Sequence, residues 1–261
     1  MPGDLRVATL NLFNNPHGRW AEREPLVHAQ ARALGPDVLL LQEVDQHGDQ
    51  VDRLLATMGD GWAAVVLPNP DPESIKSLAV CTRLGIDEHD ACTDLGAGDI
   101  ALRVHLTKGS GSRVEVVTTH LHFGPSRRGS EIRAAQIRRL LAWLGPVDGA
   151  RPLVLAGDCN ATAEGETIKG LKHVVRSAYE VANGAEPEWT HPTPLVHAID
   201  AQAAFGVPVL PEGKGHTIDY VLVAPAVEVV SCALAFDQPS AEDHMLYPSD
   251  HVGLVADLRL P

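Results

Sequence analysis

The sequence predicts an α/β protein in which two packed mixed β-sheets are flanked by helices. Three patterns lead to that class. Some apolar runs are continuous, as in Val38-Leu39-Leu40-Leu41, and such runs belong to strands covered on both faces. Others alternate: Val252, Leu254, Ala256, Leu258 and Leu260 are separated by Gly253, Val255, Asp257 and Arg259, the period of a strand with one better-buried face. A third kind recurs at helical steps, as Ala134, Ile137, Leu141 and Leu144 do, and makes one apolar stripe.

Taken in order, Leu5 to Leu12 reads as the first strand and Ala21 to Leu34 as a helix stopped by Gly35-Pro36. The strand Val38 to Leu41 follows, then a helix over Gln50 to Met58 and a strand over Trp62 to Leu67. Pro68 to Glu73 carries three prolines and reads as a loop. Leu78 to Thr82, Ile100 to Thr107 and Arg113 to His120 read as strands, the last two joined by the hairpin signal Gly109-Ser110-Gly111-Ser112. Ser130 is the expected cap of the helix bearing the Ala134 stripe, which delivers the chain to a buried strand, Leu153 to Ala156. No internal repeat interrupts this order.

Hydrophobic residues at 44% and charged residues at 21% supply a core and argue against disorder. The formal net charge of -13 disfavours a protein that wraps nucleic acid by bulk attraction, which needs Lys and Arg to neutralise phosphates. Four cysteines form no close pair, and Cys81, Cys159 and Cys232 lie in apolar contexts that suit buried free thiols. No basic segment followed by an apolar one opens the chain, and no run approaches ~18 apolar residues, so a soluble cytoplasmic protein is expected.

Six polar signatures punctuate the apolar runs: Thr9-Leu10-Asn11, Leu41-Gln42-Glu43-Val44, Thr119-His120-Leu121, Gly157-Asp158-Cys159-Asn160, Ile218-Asp219-Tyr220-Val221 and Ser249-Asp250-His251. They run from Asn11 to His251 with no linker, so both ends of the chain are expected to meet in a single domain over 1–261. Their residue types suit phosphoester cleavage, which needs a cation, an oriented water and an acid. A carboxylate at a strand end, as at Glu43, can hold Mg²⁺ or Mn²⁺ through oxygen. Gly157 allows a sharp turn that aims Asp158 and Asn160 into one pocket and Cys159 into the core. An unpaired carboxylate between Ile218 and Tyr220 would cost several kcal/mol, so Asp219 is expected to have a partner. A histidine can carry a proton near neutral pH, which suits His251.

In this order and spacing the set resembles the endonuclease/exonuclease/phosphatase superfamily, from about residue 5 to 259. The resemblance implies a four-layer α/β/β/α sandwich with the site at one end of the paired sheets. It implies Glu43 as principal metal ligand, Asn11 supporting the metal and a phosphate oxygen, and Asp250 close to the metal. His120 would contact the phosphate. Asp158 would orient and deprotonate the attacking water, with Asn160 fixing that water or a phosphate oxygen. Asp219 would pair with His251, which stabilises developing charge or protonates the leaving oxygen. One branch has an acidic residue two positions after the asparagine; here Phe13 stands there, so no further carboxylate is available.

The first functional expectation is therefore a metal-dependent phosphodiesterase or phosphatase acting on a small phosphate ester, monomeric and without membrane insertion. A DNA or RNA nuclease is the alternative, expected to show a positive stripe built from Arg127, Arg128, Lys169 and Lys172. A non-catalytic anion-binding module would have lost a metal or acid residue, and none of the eight is missing. Arg127-Arg128 is either a phosphate clamp or a solvated pair, while Arg133 and Gln136 look structural. The segments Trp189 to Gly215 and Pro68 to Lys76 are expected to wall the pocket. His191, His197, His216 and His244 lack the spacing of two ligands on one helical face, so zinc is not expected.

Overall fold

The computed structural model describes residues 3–109, 111–124, 126–199 and 215–261. The strands are β1 (Leu5–Asn11), β2 (Val38–Val44), β3 (Ala63–Leu67), β4 (Ser77–Thr82), β5 (Gly85–Gly96), β6 (Asp99–Thr107), β7 (Arg113–His120), β8 (Leu153–Asp158), β9 (Arg176–Ser177), β10 (Asp219–Val223), β11 (Glu228–Ala235) and β12 (Gly253–Arg259). The α-helices are α1 (Trp20–Leu34), α2 (Gln50–Met58), α3 (Arg127–Leu144), α4 (Glu166–Lys172) and α5 (Ala178–Asn183). One sheet has the order β11-β12-β1-β2-β4-β3 and the other β5-β6-β7-β8-β10-β9.

Strand periodicity divides the core into layers. Leu5 and Val7 of β1 and Val38 and Leu40 of β2 point between the sheets, where they join Val104, Val116 and Val154. Their neighbours Ala8, Leu10, Leu39 and Leu41 face Val27 and Ala31 of α1 and Val51 and Leu54 of α2. Across the molecule, Val117, Leu153 and Leu155 pack on Ile137 and Leu140 of α3 and Ile168 and Leu171 of α4. The result is the expected α/β/β/α sandwich. It also explains why β2 has no polar alternation: both faces are covered.

At the centre of each sheet is one parallel pair, β1 with β2 and β7 with β8. Helix α1 bridges the first pair and α3 the second. Antiparallel β12 flanks β1, and antiparallel β10 flanks β8. The C-terminal ends of the four central strands and the N-terminal starts of β10 and β12 therefore share one edge of the sandwich.

Several local expectations need correction. Helix α3 is capped by Ser126, whose hydroxyl accepts the Gly129 N–H at 3.1 Å, so Ser130 is an interior residue. Strand β5 escaped notice because Gly85–Gly96 is polar; it is an edge strand paired to β6 with two register shifts. Asp219 and the Ser249-Asp250-His251 triplet precede or open their strands rather than end them, because β10 and β12 run antiparallel to the central pairs. All four cysteines are free, and Cys81, Cys159 and Cys232 are buried. Ser110 of the hairpin and residues 200–214 of the Trp189–Gly215 segment lie outside the described residues. Among those described, no helix is long and apolar enough to cross a membrane.

Candidate active site

Backbone geometry delivers the side chains to the shared edge. The β2–β4 register slips between Gln42 and Val44, and Glu43 takes φ 53°, a left-handed conformation uncommon outside glycine. A bulge of this kind breaks the strand's alternation and re-aims the side chain at the bulge. Gly157 has φ 142°, and a Cβ there would lie 2.2 Å from the Thr119 carbonyl oxygen, so glycine permits β8 to close on β7 just before Asp158.

The eight predicted residues come together from both sheets. Asn11 Nδ2 donates to Glu43 Oε1 at 3.1 Å and lies 3.3 Å from Asp158 Oδ2, spanning the seam. His120 Nε2 is 3.3 Å from Asp158 Oδ2, and its Nδ1 is 3.8 Å from Glu43 Oε1. Asp158 Oδ1 accepts the Asn160 N–H at 2.8 Å, while Asn160 Nδ2 donates to the Leu121 carbonyl at 2.9 Å. His251 Nδ1 lies 2.8 Å from Asp219 Oδ2, and its Nε2 lies 3.8 Å from Asp158 Oδ2 and 3.9 Å from Asp250 Oδ1. Every one of these side chains except Asn160 belongs to a buried residue.

Burial sets the charge state of the cluster. It pushes the Glu43 carboxyl up to about 7, with Asp250 adding to the rise, and it raises Asp158 as well. Burial drives His120 well below its ordinary range. It opposes the charge on His251 too, yet Asp219 and Asp250 outweigh it and hold that imidazole well above its ordinary value. Asp250 stays below the usual carboxylate range because His251, His191 and Arg23 offset its burial. Glu43 Oε2 and His120 Nδ1 are buried without a hydrogen-bond partner. A buried carboxylate oxygen with no partner, on a side chain that Asn11 touches at 3.1 Å and whose carboxyl the charge of Asp250 helps raise, is a donor that suits a hard divalent cation.

Four supporting residues were not legible as such in the sequence. Gln42 Nε2 donates to Thr118 Oγ1 at 2.9 Å in the opposite sheet and to Thr9 Oγ1 at 3.1 Å in its own. Arg23 is wholly buried and donates to the carbonyls of Leu12, Phe13, Gly18 and Pro248, tying the segment after Asn11 to the one before Asp250. Thr190 Oγ1 donates to Asp219 Oδ2 at 2.6 Å. His191, set aside on spacing, has its ring centroid 4.5 Å from that of His251. Thr190 and His191, at the start of the Trp189–Gly215 segment, thus reach the site. On the Pro68–Lys76 side, Lys76 pairs with buried Asp99 at 2.5 Å, and its charge helps lower His120. Arg133 and Gln136 serve structure: Arg133 holds the His122 and Gly124 carbonyls, and Gln136 accepts the His122 N–H and donates to Asp99. Of the expected positive stripe, Arg127, Lys169 and Lys172 each pair with a glutamate.

A sequence model of the Endonuclease/Exonuclease/phosphatase family matches residues 8–251. Nocturnin of Drosophila melanogaster is 27% identical over 276 residues, covering 92% of this chain and 42% of its own length. Nocturnin of Homo sapiens is 28% identical over 269 residues, covering 92% of this chain and 58% of its own. The chain spans about half the length of these curated relatives. Among solved structures, the human Nocturnin catalytic domain with bound sulfate anion superposes with a TM-score of 0.76 at 24% identity, covering 100% of this chain and 94% of that one. D. rerio TDP2 complexed with single strand DNA product gives 0.76 at 19% identity, covering 97% and 98%. At these identities the structural likeness establishes the fold.

Proposed function

The chain belongs to the endonuclease/exonuclease/phosphatase family, and from that premise we propose that it is a divalent-metal-dependent phosphodiesterase or phosphatase that cleaves by in-line attack of water on phosphorus. The observation that carries the reading is the Asp219–His251 pair at 2.8 Å, facing Asp158 across 3.8 Å beside a buried Glu43 carboxylate with one unpartnered oxygen. Glu43, Asn11 and Asp250 would hold Mg²⁺ or Mn²⁺, which when bound neutralises charge on the phosphoryl oxygens. Asp158 takes the proton of the attacking water at Oδ2, the oxygen that faces His120 and His251. Asn160, its amide committed to Leu121, fixes the turn that aims Asp158. His120 faces the phosphate. His251 keeps its Nδ1 proton on Asp219 and presents Nε2–H to the leaving oxygen. The whole chain acts as one catalytic domain on a small phosphate ester.

The test is a panel of phosphomonoesters, phosphodiesters, nucleotides and DNA, assayed with Mg²⁺, Mn²⁺ and chelator. Metal-dependent hydrolysis of at least one class supports the reading; no hydrolysis of any under either ion removes it. A second reading, a nuclease, is favoured by the TDP2 structure with its single strand DNA product. Cleavage of single-stranded oligonucleotide or plasmid in preference to small esters would select it. The formal net charge of -13, and the commitment of Lys172 to both Glu180 and Glu186, speak for the small ester.

A further inference from the structure

His191 transfers no proton in the hydrolysis proposed above, and its place beside Asp250 and His251 is that of a ligand. Its Nε2 lies 3.7 Å from Asp250 Oδ2, and His251 Nε2 lies 3.9 Å from Asp250 Oδ1. One ligand atom from each of the three residues falls within 4.8 Å of the other two. A tetrahedral zinc ion with its usual bond lengths sets neighbouring ligand atoms roughly 3.4 Å apart, so the three ligand atoms, now within 4.8 Å of one another, need side-chain rotation but no backbone movement of more than about 1.4 Å to meet one ion. We propose that His191, Asp250 and His251 form a second, softer cation site that shares Asp250 with the Mg²⁺ site, takes Zn²⁺ and, when filled, withdraws His251 from the reaction.

The donor set discriminates between ions. Two imidazole nitrogens and one carboxylate suit Zn²⁺, whereas Mg²⁺ prefers an all-oxygen shell and keeps its waters. The scaffold is also ready for it. Asp219 Oδ2 receives His251 Nδ1–H at 2.8 Å, so Nε2 is the nitrogen that can bind, its proton passing to solvent as the ion enters, and Asp219 supplies the outer carboxylate that metal-bound imidazoles commonly have. His191 is fixed by backbone pairing with His216, with N to O distances of 3.2 and 2.8 Å. Asp250 is fixed by the Thr193 N–H on its carbonyl at 2.8 Å, and Ser249 before it by its hydroxyl on the Asn11 carbonyl at 2.6 Å. The fourth position is left to water or a phosphate oxygen. The consequence for turnover rests on the hydrolase reading: His251 Nε2 cannot hold a zinc ion and a transferable proton at once.

Co²⁺ serves as the probe, because in such a nitrogen-rich site it absorbs visibly. It is titrated into full-length protein equilibrated with Mg²⁺, without substrate. The expected result is one equivalent with a visible band, displaced by Zn²⁺, and weakened at least ~10-fold in His191→Ala and His191→Gln, since loss of even an outer-shell partner costs that much. Both variants should keep the circular dichroism spectrum of wild type, and inhibition by Zn²⁺ is read as a fraction of each variant's own Mg²⁺-supported rate. In both, Zn²⁺ concentrations that arrest wild type should no longer do so. A band of unchanged affinity in the His191 variants would place the ion on Asp158, Asp219 and His251 instead and overturn the proposal; so would no band in wild type. Because the band is read without substrate, a His191-dependent band in a protein that hydrolyses nothing would keep the metal site and reject the hydrolase reading.

Discussion

The two sheets are built on one plan and carry different chemistry. Each centres on a parallel pair bridged by a helix, and each ends those strands at the same edge. The first sheet brings Asn11, Glu43, Asp250 and His251 to that edge; the second brings His120, Asp158, Asn160 and Asp219. The key contacts cross the seam: Asn11 reaches Asp158, His120 approaches Glu43, and His251 binds Asp219. Neither half contains all of the residues proposed as acid, base and cation holder. The proposed chemistry therefore depends on the spacing between the sheets as much as on the identity of the residues.

The largest effects should come from the groups that face each other across the seam. Asp158→Asn removes the proposed proton acceptor, and His251→Ala removes the proposed proton donor. Loss of one preorganised group of this kind typically lowers kcat by ~10²-fold or more. Each variant should keep its circular dichroism spectrum. Normal turnover in either would break the assignment of complementary roles to the two sheets.

Glu43→Gln comes next, because it keeps the shape of the cation holder while removing its charge. The neutral amide should raise the Mg²⁺ concentration needed for half-maximal activity by ~10-fold or more, as losses around metal sites commonly do. Chelator should abolish wild-type turnover and Mg²⁺ should restore it. An unchanged Mg²⁺ requirement would move the cation away from the first sheet. The thermal midpoint of Glu43→Gln should not fall, since burial already raises that carboxyl to about 7 and the charge is costly where it stands.

The strand ends bearing these groups were legible because continuous apolar runs stop abruptly at polar residues, as Val38 to Leu41 does before Glu43. What was not legible is how the ends are held. The bulge at Glu43 leaves no mark in a sequence whose residue there is not glycine. Arg23 reads as one charged residue on a helix, although its four carbonyl acceptors come from two distant segments. His191 stands sixty residues from His251 and meets it only because the segment before β10 folds back onto the one before β12. Strand β5 hid for the opposite reason: an edge strand with solvent on it needs no apolar alternation.

Gln42 tests the spacing argument directly. Its amide bonds Thr9 and Thr118, each two residues short of Asn11 and His120, and its side chain abuts Gly157, which precedes Asp158. Gln42→Leu should lower kcat by ~10-fold with little change in KM, because small misplacements of catalytic groups are costly. It should also cost about 1–3 kcal/mol in stability through the unsatisfied Thr118 hydroxyl. Adding Thr118→Val should recover stability without recovering kcat. If both recover together, Gln42 is only filling space.

The smallest effect concerns a pair that the two sheets share and the site does not use. Arg6 stands directly across from Asp257 in the first sheet, and Arg103 directly across from Asp90 in the second, each as a doubly hydrogen-bonded ion pair. Hydrogen bonding to the guanidinium holds both carboxyls below their usual range. Such half-exposed pairs contribute only ~0.2–1 kcal/mol each. A depressed carboxyl stabilises the fold above its unfolded-state value and loses that contribution as pH falls through its folded value. Asp257→Asn and Asp90→Asn should therefore melt slightly below wild type at pH 7, and the gap should close under acid conditions that protonate these carboxyls. Arg103 keeps Glu115 at 3.6 Å and the Trp143 ring beneath it, so Asp90→Asn should show the narrower gap. A gap that persists in acid would mean that packing, not charge, distinguishes the two positions. Turnover should be unchanged in both, because these pairs lie outside the seam where the sheets exchange chemistry.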